Sequence, residues 1–234
     1  MPGAASIPRL PPGGLIARIL PSAAVAAESC GQLPEAGRAL FAAEARAVRT
    51  AGSRRRAEFT AGRLCARTAL ARLGIPAAPI LPGPAGEPRW PAGVVGSITH
   101  CPGYRACAVA RAADLAAIGI DAEPDQDLPR DLAEVVATPA ELAWIRRREA
   151  ADPAVRWARL VFTAKEAAGK AWYPLTGRWP GHGELAVSAA AGGTLTVRLP
   201  AAGPGRSAVI TGRWLARGGV IVTAVAAPAQ CLGS

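Results

Sequence analysis

The spacing of hydrophobic positions changes several times along the chain, and each change marks an element. From Pro34 to Gly74 the period is helical, with a break around Thr50 to Ser53. Ser53 is placed to cap the second helix, and Gly74 followed by Pro76 ends it. Residues 75–93 are rich in Pro and Gly and predict an ordered loop or a linker. VVGSITH (94–100), a Pro-Gly turn at 102–103 and YRACAVARA (104–112) predict a β-hairpin, and AAIGIDAEP (116–124) a third strand. Helical spacing returns over 131–150 and again from Asp152 or Pro153 to about Trp172, where Pro174 and Gly177 stop it. ELAVSAA, TLTVRLP and ITGRWLARGGVIVTAVAA then predict antiparallel strands joined by Gly-rich turns. LIARILPSAAVAA (15–27) loosely imitates a secretion signal, but Arg18 and Pro21 interrupt it, so the expectation is a strand from Leu15 to Leu20 and a turn. No apolar run approaches a membrane span.

Helices and a small sheet occur in both parts of the chain. The pattern predicts an α+β protein of two similar-sized halves, residues 1–115 and 116–234, although no sequence repeat demonstrates a duplication. Half the 234 residues are hydrophobic, with alanine dominant and aromatics few, so the core is expected from small side chains, Val, Leu and the six Trp. A net charge of +10 favours acidic partners: phosphorylated ligands, nucleic acid or an acidic protein. The five cysteines (30, 65, 101, 107, 231) include no C-x-x-C pair. That argues against zinc and against a disulfide framework, and places the chain in a reducing cytoplasm.

Candidate chemistry begins with carboxylates. In the strand AIGIDAE, Ile118 and Ile120 face one way while Gly119, Asp121 and Glu123 face the other. Neighbouring carboxylates repel unless a cation or solvent separates them, and an all-oxygen donor set suits Mg²⁺. An isolated D-x-E is more often a solvent-facing strand end, so this pair alone decides nothing. The segment VFTAKEAAGKAW (161–172) adds a third carboxylate. Of the 27 strongly basic residues only two are lysines, Lys165 and Lys170, and both are here. Phe162, Glu166, Lys170 and Tyr173 share one helical face, while Val161, Ala164, Ala168 and Trp172 form an apolar stripe suited to a sheet. A surface Glu166–Lys170 pair is the plain alternative, but arginine would serve there equally well. AGK is no phosphate loop, because Ala164 and Ala171 stand where that motif needs Gly and Ser or Thr.

In SRRRAEFTAGRLCAR (53–67), Arg55 and Arg63 lie about two turns apart and roughly 80° around the helix axis, a spacing that can grip a phosphate. The same stretch also fits a solvated face or a nucleic-acid patch. His100 closes its strand beside Ser97 and Thr99 and could donate to a phosphate, although a lone histidine is more often structural.

GRLCARTAL, GEPRWPAGVVGSITHCPGYRACAV, AIGIDAEP and FTAKEAAGKAWYPLTGRW, in this order and spacing, resemble the 4′-phosphopantetheinyl transferases. The similarity is to the Sfp and enterobactin-synthetase component D branch, closest to actinobacterial members, and covers roughly residues 15 to 225. The pairing of G-x-D-x-E with F-x-x-K-E-x-x-x-K carries it. The resemblance implies a pseudo-twofold pair of α/β halves with the site between them. It also implies Mg²⁺-dependent transfer of the phosphopantetheine arm of coenzyme A to a serine of an apo acyl or peptidyl carrier protein, releasing 3′,5′-ADP. By the same resemblance Asp121, Glu123 and Glu166 are the metal carboxylates. Arg55, Arg63, Thr99, His100, Asp121, Glu166 and Lys170 bind coenzyme A. Glu166 takes the serine proton, assisted by Lys170 and His100. For Lys165 the pattern implies a coenzyme or carrier contact. Two departures stand out: the loop before Trp90 has Pro82 and Glu87 where relatives often carry a lysine, leaving Arg89 as a substitute, and Gly169 replaces a larger residue, which loosens the helix or widens the pocket. A monomer is expected, with no membrane or nucleic-acid partner. The alternatives are a catalytically weak carrier-binding homologue or a basic nucleic-acid-binding module.

Overall fold

The computed structural model describes residues 11, 13–32, 39–200 and 208–229. Its strands are β1 (Ala24–Cys30), β2 (Val94–Cys101), β3 (Tyr104–Arg111), β4 (Leu115–Pro124), β5 (Ala186–Ala189), β6 (Thr194–Arg198), β7 (Val209–Arg217) and β8 (Val220–Pro228). The helices are α1 (Ala42–Ala47), α2 (Ser53–Arg72), α3 (Arg130–Val136), α4 (Pro139–Ala151) and α5 (Trp157–Thr176). The α+β class stands. A three-stranded antiparallel sheet, β1-β3-β2, carries α2, and a five-stranded antiparallel sheet, β4-β8-β7-β6-β5, carries α5.

Three clusters of small and branched side chains build the core. Cys65, Ala66, Ala69 and Leu70 of α2 pack on Cys107 and Val109 of β3. The opposite face of β3, Ala106, Ala108 and Ala110, meets Ile118, Ile120 and Ala122 of β4 and Val220 and Val222 of β8. The stripe Val161, Ala164, Ala168 and Trp172 of α5 is buried against the larger sheet with Val197, Ile210 and Val225. The free edges of the two sheets, β2 and β4, meet through side chains rather than a ladder. Ser97 Oγ accepts from Ile120 N at 3.1 Å, and Thr99 Oγ1 accepts from Ala122 N at 3.0 Å. On the α5 side of β4, Gly119 is required by close approach, since a Cβ there would lie 1.9 Å from Ala167 O.

Several expected boundaries move. Leu15 to Leu20 form no strand: Ile16–Arg18 is a 3₁₀ turn, held because Leu15 N and Ala17 N donate to the Glu28 carboxylate, and the strand follows at Ala24. Gly52, not Ser53, occupies the N-cap of α2. The helix expected over 131–150 is two helices, because Thr138 before Pro139 is extended (φ −65°, ψ 160°) and caps α4 by accepting from Glu141 N. α5 starts at Trp157 and runs through Pro174 to Thr176, ending at Gly177 (φ 67°). A proline in the last turn removes one hydrogen bond, too little to stop the helix there. Residues 75–93 are an ordered loop, pinned by the Pro82–Pro88 bridge and by Trp90 Nε1 donating to Gly96 O at 3.0 Å. The start of the first expected helix at Pro34, and Cys231, lie outside the described residues. The four described cysteines are free, and no described helix is long and apolar enough to cross a membrane.

Candidate active site

The seam between β2 and β4, flanked by α5, gathers most of the expected residues. Asp121 is 5% exposed. Its Oδ1 accepts from Lys170 Nζ at 2.7 Å and from Thr99 Oγ1 at 3.1 Å, while Oδ2 is buried without a partner. Lys170 Nζ also donates to Ile120 O at 3.2 Å. Burial pushes the Asp121 carboxyl above its ordinary pKa; Lys170 pulls it back and Glu166 pushes it up further. Glu123, next on the same strand face, is raised by burial and then by Asp121, with Arg159 opposing.

Glu123 and Glu166 are each held by a partner that sequence reasoning missed. Arg159 Nη1 donates to Glu123 Oε2 at 3.1 Å, and His182 Nε2 lies 2.9 Å from Glu166 Oε1. Among the described residues no three acidic, histidine or cysteine side chains converge as a ready-made metal site. The donors nonetheless fit a hard divalent cation in kind. They are all carboxylate, Asp121 and Glu166 both push the Glu123 pKa up, and one buried oxygen of Asp121 lacks a partner.

A groove leads away from this cluster. A cavity of about 220 Å³ is lined by Lys170, Tyr173, Trp179, Trp90, Gly86 and Ile98. A second, of about 110 Å³, shares Gly86 and Ile98 and adds Arg55, Arg63 and His100. Arg55 is exposed. Arg63 is buried, its Nε donating to Ile80 O at 2.8 Å, its guanidinium 3.9 Å over the Phe59 ring, and its Nη2 without a partner. Burial lowers its pKa to about 10, so it stays charged at neutral pH. An anion in the groove would satisfy that nitrogen. His100 Nε2 faces Glu58 Oε2 at 3.3 Å, and burial lowers the pKa of the imidazole. Thr99, expected on phosphate, instead spends its hydroxyl on Asp121 and Ala122 N.

Three further expectations are corrected or refined. Lys165 touches neither cavity: it is 1% exposed, and its ammonium meets Glu141 Oε2 at 2.6 Å, His182 O at 2.8 Å and Val136 O at 2.9 Å. The one advance signal for this arrangement is T-P-A-E (138–141), a capping box that fixes Glu141 on α4. Gly169 does not widen the pocket, because a Cβ there would lie 2.9 Å from Trp179 Cζ2: the indole occupies the space. Arg89 is exposed and lines neither cavity, and Glu87 accepts from Ala85 N within its own loop.

The sequence matches the family model of the 4′-phosphopantetheinyl transferase N-terminal domain over residues 43–110, and that of the 4′-phosphopantetheinyl transferase superfamily over 117–223. The chain belongs to the 4′-phosphopantetheinyl transferase superfamily. Transferases of this family move the phosphopantetheine arm of coenzyme A onto carrier proteins. The 4′-phosphopantetheinyl transferase Svp of Streptomyces mobaraensis is 48% identical over 222 residues, 92% of this chain and 90% of that protein. Npt of Nocardia iowensis is 40% identical over 225 residues (91% and 99%), and PptT of Mycobacterium tuberculosis 41% over 191 (78% and 83%). Within this transferase Lys170 links the two regions, lining the larger cavity while its ammonium donates to Asp121.

Proposed function

We propose that the transferase moves the phosphopantetheine arm of coenzyme A to the serine of an apo acyl or peptidyl carrier protein, in the cytoplasm, with Mg²⁺. The observation that carries this reading is Asp121: a buried carboxylate with one oxygen shared by Lys170 and Thr99 and the other unpartnered, its partner Lys170 lining the groove that also holds a half-satisfied arginine. Residues 1–115 supply the groove arginines, and 116–234 the carboxylates and Lys170. Arg63 and Arg55 hold the phosphates of the nucleotide end, with His100 beside them. Asp121, Glu123 and Glu166 would hold Mg²⁺, which when bound neutralises the pyrophosphate charge.

The serine oxygen forms a bond to the phosphorus that carries the pantetheine arm, the bond from that phosphorus to the 3′,5′-ADP oxygen breaks, and Glu166 takes the serine proton. Lys170 has three N–H donors. Two are given to Asp121 and Ile120 O, which leaves one for the departing phosphate. The basic surface attracts the acidic face of a carrier and orients it. A nucleic-acid role finds no such support. Four α2 arginines already have partners within the chain, Arg67 on Glu44, Arg54 on Glu58, Arg56 on Ala51 O and Arg72 on Ala26 O.

The test is incubation with coenzyme A and an apo carrier protein, followed by mass spectrometry of the carrier. The arm is expected with Mg²⁺, and neither with a chelator nor in Glu166→Gln. Undiminished transfer in either control overturns the site reading.

A further inference from the structure

His182 has no counterpart among the residues expected from sequence. It lies on the 3₁₀ turn His182–Glu184 that follows α5, and its Nε2 is 2.9 Å from Glu166 Oε1. The turn is anchored independently of the ring. Lys165 Nζ donates to His182 O at 2.8 Å, Gly181 N donates to Glu184 Oε2 at 2.8 Å, and Arg178 grips both Glu184 oxygens at 2.8–3.0 Å. Leu185, the next residue, is buried. The imidazole also leans on Phe162, one helical turn before Glu166, with ring centroids 6.0 Å apart. Among the described residues no other hydrogen bond reaches the Glu166 carboxylate. The His182 side chain is 30% exposed and lies outside the hydrophobic core under α5.

We propose that His182 is a positioning residue for Glu166. With hydrogen on Nε2, the ring donates to Oε1, fixes the carboxylate rotamer and leaves the second oxygen to the reaction. Hydrogen bonds of this kind to a ligating or proton-accepting carboxylate set its direction, and their loss typically costs about 10–100-fold in metal affinity or activity. Lys165 contributes at one remove, since its grip on His182 O decides where the ring stands. The proposal rests on the reading that Glu166 serves the transfer.

The experiment compares the full-length chain with His182→Ala, His182→Gln and Glu166→Gln. It reads kcat and KM for coenzyme A, the thermal midpoint, and Mn²⁺ affinity by electron paramagnetic resonance without coenzyme A or carrier. His182→Ala should lose about 10–100-fold in kcat and at least about tenfold in Mn²⁺ affinity, with the midpoint and the coenzyme A KM essentially unchanged. His182→Gln, whose amide reaches the same oxygen, should recover most of both. Wild-type kcat and Mn²⁺ affinity in His182→Ala overturn the proposal. So does a His182→Gln that folds but loses about 10–100-fold in kcat against wild type, a comparison that stands even should the alanine variant fail to fold. If Glu166→Gln transfers at the wild-type rate, the Glu166 reading falls. If Glu166→Gln is inactive and His182→Ala is unimpaired, only the role of His182 falls.

Discussion

Two regions of α5 carry the chain's two lysines and treat them in opposite ways. Around Lys165 everything is satisfied: three donors meet Glu141, Val136 O and His182 O, and the side chain is closed off from solvent. Around Lys170 satisfaction is incomplete: the ammonium has a donor to spare, and its partner Asp121 keeps a buried oxygen with nothing to accept from. A saturated buried network stabilises one arrangement and offers a ligand nothing. An unsaturated one is costly to maintain, and the cost is relieved when a ligand supplies the missing contact. Donor satisfaction, rather than charge or sequence position, separates the structural lysine from the one proposed to meet the ligand.

The contrast breaks most visibly at Asp121. Asp121→Asn keeps the shape and one acceptor oxygen for Lys170 but removes the charge, and transfer should fall at least about 10³-fold. Stability should move the other way. Burial raises the Asp121 pKa in the folded state. The ionised carboxylate therefore opposes folding at neutral pH, and that opposition vanishes as the pH falls below the unfolded value. The variant's thermal midpoint should match or exceed that of the wild type at pH 7, and its advantage should shrink on acidification. A lower midpoint at neutral pH would contradict the assignment of strain to this group. On the other face, Lys165→Met strands the Glu141 charge in the interior and should cost about 3–5 kcal/mol in urea denaturation. Adding Glu141→Gln should recover part of the loss. Equal loss in the single and double variants would mean that packing, not the ion pair, carries the stability.

The legible part of this molecule was the part written in local pattern. Alternation gave the β2–β3 hairpin and the face of β4 that presents Asp121 and Glu123. Helical spacing gave the buried stripe of α5, and the combination of D-x-E with K-E-x-x-x-K gave the candidate chemistry. The misread residues have partners distant in sequence. Leu15 to Leu20 look like a strand until Glu28, 13 residues beyond Leu15, accepts two of their amides. Lys165 looks like a coenzyme or carrier contact until Glu141, 24 residues earlier, claims it. His182 and Arg159 bear no local mark, since what each does depends on a carboxylate that only the fold brings near.

The smallest effect tests where the reactive face ends. Gly169 sits on α5 just before Lys170, and Trp179, 44% exposed, lies across it. Gly169→Ala adds a methyl 2.9 Å from the indole, closer than a relaxed contact allows. Two terms oppose each other. Alanine gains about 1 kcal/mol over glycine inside a helix, and displacing a half-exposed indole from its contact with Tyr173 costs a comparable amount. The net change in unfolding free energy should therefore stay within about 1 kcal/mol. The cavity is less forgiving, because Trp179, Tyr173 and Lys170 line the same wall. A shifted indole should raise the coenzyme A KM several-fold while kcat holds, since neither Asp121 nor Glu166 touches the displaced ring. A fall in kcat at constant KM would place Trp179 on the reactive side of the helix rather than at its border.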